Sequence, residues 1–299
     1  MQARVSFGLT VAFSAGLIDG AALAARAAPP GANQKITIGW CASTKDLEKA
    51  KAAGFDFVEL GVRQLAGMSD AEFAEAKAGH EKVGLPTPVG NLFVPPEIRL
   101  TGPDAKVDEQ RQYVRKALDR ARAFGLKIVV FGSGGARNVP DGFSRDQAFK
   151  QLVAFGRLAA AEAKPRGITV ALEPLRRKES NIMNSAAEGL TLVKAIRHPN
   201  FALMVDIFHM AEEKEAAAII LNAGKLIRHV HIANPRGRVF PLEAAEFSYA
   251  PYFQALRKIG FRGGVSVEAS TKDFDRDAPR SIALLRALAR GDATANLTP

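Results

Sequence analysis

The sequence predicts an α/β protein built as a single (β/α)8 barrel of the TIM type. Eight short apolar runs alternate with longer amphipathic segments from Ile36 onward, the pattern of parallel strands joined by helices. The eight units occupy about 255 residues, the size at which such a barrel closes. No glycine fingerprint follows the first run, which an open doubly wound sheet would more often carry. With 299 residues, 47% hydrophobic and 24% charged, the chain has the composition of an ordinary globular protein, neither disordered nor membrane-spanning. No linker rich in Pro, Gly or Ser divides it, so residues 35–299 are read as one domain.

The predicted strands are ITIGWC from Ile36, DFVELGV from Asp56, TPVGN from Thr87, KIVVFG from Lys127, ITVALE from Ile168, FALMVD from Phe201, IRHVHIA from Ile227 and GVSVEA from Gly264. Helical patterns fill the gaps: DLEKAKAAG, AEFAEAKAG, DEQRQYVRKALDRARAFG, DQAFKQLVAFGRLAAAEAK and SAAEGLTLVKAI. Several end in glycine just before the next strand, where a left-handed residue stops a helix. Ser185 and Glu188 have the spacing of a capping box and predict where the helix after the fifth strand begins.

Residues 1–34 stand apart. Arg4 precedes an uncharged, mostly apolar stretch from Val5 to Ile18, and small-residue cleavage sites follow at Ala22-Leu23-Ala24 and Ala25-Arg26-Ala27. The segment reads as a secretory signal peptide with a short linker; Asp19 favours the alternative, an N-terminal helix packed on the domain. Export would place the product in the periplasm or outside the cell, and otherwise it is cytoplasmic. No other apolar run is long enough to span a bilayer. The formal net charge of +10 would suit nucleic acid if it were gathered in a patch. Here the cations are spread among acids along amphipathic segments, the pattern of a solvated surface. The single cysteine, Cys41, excludes an intrachain disulfide framework and any multi-cysteine metal site, and it reads as a small buried apolar residue.

The chemistry is expected at the strand ends. In ITVALE the period of two turns Thr169, Ala171 and Glu173 to one face, and Pro174 keeps Glu173 extended at the last position of the strand. That is the face on which barrel enzymes carry their active sites. The same arithmetic brings Asp206, His231 and Glu268 to the ends of the next three strands. Two Glu, one Asp and one His make an oxygen-rich donor set suited to Mn2+, Mg2+ or Co2+. Singly, each has an ordinary role: loop acids for Glu173 and Glu268, a helix cap for Asp206, a hydrogen-bonded core histidine for His231. Together, three carboxylates crowding one barrel mouth require a cation. His209 is read as a substrate contact above the mouth and His229 as a core histidine one layer deeper. His80 and His198 are read as surface residues. Glu59 is either a substrate contact or an interior hydrogen-bond partner.

At these residues the chain resembles the D-tagatose and D-psicose 3-epimerase group of the xylose isomerase-like barrels, a sugar phosphate isomerase and epimerase family. The segments EPLRRKESNIMNSAAEG, DIFHM, HVHIA and VEAS carry the resemblance. It implies one divalent metal ion, Mn2+ before Mg2+ or Co2+, on Glu173, Asp206, His231 and Glu268. It also implies a sugar held by Glu179, His209 and Arg238, with Arg236 as the alternative arginine. The reaction implied is transfer of a proton at the carbon next to a ketose carbonyl through a metal-stabilised enediolate, with Glu173 and Glu268 as the catalytic pair.

The chain departs from the group at Arg176, Arg177 and Lys178, and in the loop FGSGGARNVP, where Arg137 sits in a glycine-rich turn. These four cations either surround an anionic substrate or balance the acids of the rim. Two further functions stay open: a metal-dependent dehydratase or lyase on an oxidised sugar, and an exported noncatalytic carbohydrate-binding barrel. An abasic-site endonuclease is disfavoured, because its multinuclear metal cluster needs more histidines than the five present. The expected partner is therefore a small carbohydrate, with no nucleic acid and no membrane span, and a homo-oligomer is compatible with the sequence.

Overall fold

The structure is a computed structural model that describes residues 36–292. The expected signal peptide and linker, residues 1–34, lie outside the described residues. Eight parallel strands close into a barrel in sequence order: β1 (Thr37–Ala42), β2 (Phe57–Gly61), β3 (Val89–Asn91), β4 (Ile128–Phe131), β5 (Thr169–Leu172), β6 (Phe201–Asp206), β7 (Ile227–Ile232) and β8 (Gly264–Val267). β8 pairs with β1 to complete the ring. All eight predicted runs become strands, some of them shorter than expected. β3 loses Thr87 and Pro88, since proline has no N–H to give a ladder; the Pro88 carbonyl instead accepts from the N–H groups of Lys127 and Ile128. No helix among the described residues is long and apolar enough to cross a membrane.

The helices cover the outside of the barrel and bury its outer apolar face, as in the amphipathic helix Arg145–Ala163, which buries Leu152, Phe155 and Leu158 among others. Their ends follow local chemistry. Ser69 and Glu72 form a complete capping box at the start of Asp70–Val83. At Ala186–Ile196 the expected box is only half made. Ser185 Oγ accepts from the Glu188 N–H, while the Glu188 carboxylate reaches one residue further back and accepts from the Asn184 N–H at 2.8 Å. At the other end of Leu47–Ala53, Gly54 stops the helix at φ 90°, a conformation that costs glycine little.

Inside the barrel, Phe57, Val89, Val130, Ala171 and Met204 form a small closed cluster. The Phe57 ring fills the space beside Gly39 and Gly264: a Cβ on either would lie 2.3 or 2.6 Å from a ring carbon. The ring also meets His229 edge-on, 6.3 Å between centroids. Among the described residues the centre is thus packed, and the open cavity lies at the end above this layer. Replacing Gly39 by Ala is expected to overpack the interior and lower stability by about 1–3 kcal/mol, seen as a lower denaturation midpoint; an unchanged midpoint would show that Phe57 has another place to go.

Candidate metal centre

Each strand places one residue at the mouth, two positions beyond an inward-facing residue. Cys41 follows Gly39, Glu59 follows Phe57, Asn91 follows Val89 and Gly132 follows Val130. Glu173 follows Ala171, Asp206 follows Met204, His231 follows His229 and Glu268 follows Ser266. Four consecutive strands, β5 to β8, thus bring together the four residues singled out from the sequence. One donor atom from each of Glu173, Asp206, His231 and Glu268 lies within 4.8 Å of the others. Gly132 makes this possible, because a Cβ there would stand 2.3 Å from Glu173 Oε2.

His231 is fully buried between carboxylates. Its Nδ1 lies 3.0 Å from Glu173 Oε1 and 3.6 Å from Glu268 Oε2, and its Nε2 donates to Glu59 Oε1 at 2.9 Å. The other Glu59 oxygen accepts from His229 Nε2 at 2.8 Å. Glu59 is therefore an interior partner of two histidines, and His229 is the core histidine expected one layer down. Burial disfavours the Glu59 carboxylate, yet the two imidazoles outweigh it and hold the group well below the ordinary range. Burial likewise opposes a charged His231, but Glu59, Glu173 and Glu268 raise it well above the ordinary imidazole range.

Asp206 caps the short helix Ile207–Glu212, its Oδ1 accepting from the Phe208 N–H at 2.8 Å. Its Oδ2 is buried with no hydrogen-bond partner. Close by, His209 Nδ1 accepts from the Arg176 N–H, so its Nε2 carries the proton. That nitrogen is also buried and unpartnered, 3.5 Å from Asp206 Oδ2 and 3.9 Å from Glu179 Oε2. Arg238 completes the rim, donating to Glu268 Oε2 at 2.5 Å and to Glu179 Oε1 at 3.1 Å. Arg236 is exposed and makes none of these contacts. Both guanidinium groups lie against the Phe208 ring, that of Arg176 at 4.8 Å and that of Arg238 at 4.6 Å from its centre.

This donor set fits a divalent cation. It offers three carboxylates and one imidazole, and Asp206 Oδ2 is a buried acceptor that no protein donor satisfies, an arrangement that is otherwise costly. Burial, with the charges of Glu173 and Asp206, pushes the Glu268 carboxyl up to about 7, against the favourable pull of His231 and Arg238. A cation bound among these oxygens would reverse that bias and take the place of the Nδ1 proton of His231, leaving Nε2–H on Glu59.

The cations flagged in the departing loops do not gather around the cavity. Arg137 is fully buried: it donates to the carbonyls of Glu173 at 2.8 Å, Phe131 at 3.3 Å and Met183 at 3.4 Å. It ties the ends of β4 and β5 to the loop that follows and does not face a substrate. Gly134 lets its loop tuck in this far, since a Cβ there would sit 2.4 Å from the Glu179 carbonyl. Arg176 pairs with Glu179 and Glu212, and Arg177 with Glu213.

Three smaller expectations also need correction. Cys41 is only half-buried and lines the cavity, its thiol pushed up by burial and by Glu59. His80 and His198 are half-buried: His80 Nε2 lies 3.0 Å from the Leu85 carbonyl and 3.2 Å from Thr87 Oγ1, and His198 Nδ1 accepts from the Asn200 N–H. The sequence reading also missed Asn91, whose Nδ2 donates to Glu268 Oε1 at 3.4 Å. The period-two count applied to β3 would have found it.

The mouth opens into a cavity of about 880 Å3 that Glu173, Glu179, His209, Arg238 and Glu268 all line. Since Glu59 orients the His231 ring, Glu59→Gln is expected to weaken divalent-metal affinity about 10- to 100-fold, measured by titration calorimetry. Unchanged affinity would remove Glu59 from the support of the centre.

Two curated relatives and one solved structure bear on this geometry. L-ribulose 3-epimerase of Methylomonas sp. (strain DH-1) is 30% identical over 240 residues, 77% of this chain and 79% of that protein. D-psicose 3-epimerase of Ruminiclostridium cellulolyticum is 29% identical over 74% of this chain and 76% of its own length. A crystal structure of D-allulose 3-epimerase from Methylomonas sp. superposes with a TM-score of 0.74 at 25% identity, over 86% of this chain and 99% of that one. The family model described as xylose isomerase-like TIM barrel matches residues 47–288. With the barrel, the strand-end donor set and these relatives in agreement, the chain belongs to the xylose isomerase-like TIM barrel family, among its sugar isomerases and epimerases.

Proposed function

We propose that the protein is a divalent-metal-dependent ketose 3-epimerase, moving a proton at the carbon beside a ketose carbonyl. The observation that carries this reading is the placement of Glu173 and Glu268. Both belong to the candidate metal set, both line the cavity, and they come from strands on different sides of His231. The ketose 3-epimerases among the relatives support the same choice.

Glu173, Asp206, His231 and Glu268 would hold the ion, Mn2+ before Mg2+ or Co2+ given hard oxygen donors with one imidazole. When bound, it supplies Lewis acidity to a sugar carbonyl and the adjacent hydroxyl. Of the two glutamates, one removes the carbon-bound proton and the other returns one from the opposite face, which inverts the centre. His209 has a free Nε2–H to donate to a sugar oxygen. Glu179 and Arg238 are paired to each other and lie on the cavity wall, where they position hydroxyls. Removal of residues 1 to about 28 on export belongs to the same proposal.

Purified protein is expected to hold about one divalent ion per chain, as one mononuclear site requires, and Asp206→Asn and His231→Ala are expected to lose it. Metal analysis showing parental content in both would overturn the ligand assignment. Glu173→Gln and Glu268→Gln keep size and one coordinating oxygen, so each is expected to retain measurable metal while turnover falls about 10²- to 10⁴-fold. The parent should place solvent deuterium on the inverted carbon. Release of water or of a cleaved fragment would favour the lyase instead, and absence of any exchange would favour a binding protein.

A further inference from the structure

The wall of the cavity opposite the metal candidates has its own construction. Arg63 and Gln64, at the start of the short helix Val62–Gly67 that follows β2, and Leu92, just after β3, line it. The strand order β1 to β8 puts these loops across the mouth from those of β6 and β7. Arg63 and Gln64 are exposed, and among the described residues neither side chain makes a hydrogen bond or ion pair. Arg63 thus differs from Arg176 and Arg238, which are neutralised by carboxylates.

Leu92 is unusual in two ways. It is a large aliphatic residue 42% exposed, and its φ is 51°, a left-handed conformation that a bulky side chain adopts only when its surroundings impose it. Its carbonyl accepts from the Arg63 N–H at 3.2 Å, so the backbone locks the apolar platform beside the two polar side chains.

The cavity measures about 880 Å3. Pockets for drug-sized ligands span about 300–1,000 Å3, and a free ketohexose is well below drug size. A sugar engaged at Glu173 and Glu268 would leave the opposite wall unfilled. We infer that the substrate is an extended keto-sugar, a ketose carrying a second sugar ring at its far end. The C–H face of that ring rests on Leu92, and its hydroxyls are hydrogen-bonded by Arg63 and Gln64. Recognition by donors to neutral hydroxyls needs no anionic group, consistent with the pairing of the other rim cations. This inference rests on the epimerase reading above and specifies its substrate.

The test uses the metal-loaded full-length protein with ketohexoses supplied in pairs, each free and as its 6-O-glucoside, as in D-fructose and isomaltulose. kcat/KM is read by solvent-deuterium incorporation at the carbon beside the carbonyl. The glucosides are expected to be preferred about tenfold or more, and Arg63→Ala or Leu92→Ser to reduce that preference ratio about tenfold, the size of one charge-assisted hydrogen bond or one apolar contact. Both variants alter exposed positions, and parental melting curves would establish that they fold. Equal or better use of the free ketose in every pair, or variants that leave the ratio unchanged, would overturn the extended substrate while leaving the epimerase reading intact. Absence of exchange with either member of every pair would overturn both.

Discussion

Three carboxylates held a few ångströms apart at the mouth of a barrel repel one another, and the surrounding groups answer that repulsion. Two like charges 4 Å apart cost about 4 kcal/mol at an effective dielectric constant near 20. Three such pairs approach the whole stability of a typical domain, about 5–15 kcal/mol. His231 therefore lies beside Glu173 and Glu268, and Arg238 spans Glu268 and Glu179. A fourth acid, Glu59, stays out of the cluster because two imidazoles occupy its oxygens. What these cations leave unanswered, above all Asp206 Oδ2, is what makes the set a candidate for a divalent ion.

The pleat divides labour around the ring. The same two-residue step puts chemistry-bearing side chains on β5 to β8. On β1 to β4 it puts Cys41, Glu59, Asn91 and Gly132, which support or make room. Family membership is a property of the scaffold, whereas the reaction resides in the rim. A scaffold shared by epimerases and isomerases thus leaves its differences to the loops that line the cavity.

What could be read from sequence was what depends on short-range periodicity. Glu173, Asp206, His231 and Glu268 fell out of counting by two along apolar runs, and the barrel followed from eight such runs. Reading failed where a side chain's fate depends on residues far away in the chain. Arg137 looked like a rim cation because it sits in a glycine-rich turn, but those glycines let the turn sink until the guanidinium meets three carbonyls. For Arg176 and Arg177 the sequence left open an anionic substrate or the acids of the rim, because their partners, Glu212 and Glu213, stand more than thirty residues on, at the end of the helix Ile207–Glu212. Local pattern also could not foresee the left-handed backbone at Leu92, whose carbonyl accepts from the distant Arg63 N–H.

The Phe57 ring, wedged against Gly39 and Gly264, gives the barrel a floor. A molecule bound above it has no rear exit, so arrival and departure share one doorway. In an epimerisation of the kind proposed above, between isomers of equal bulk, each product would occupy the path its successor must take. Release, as much as bond-making, becomes a place where the rate is set.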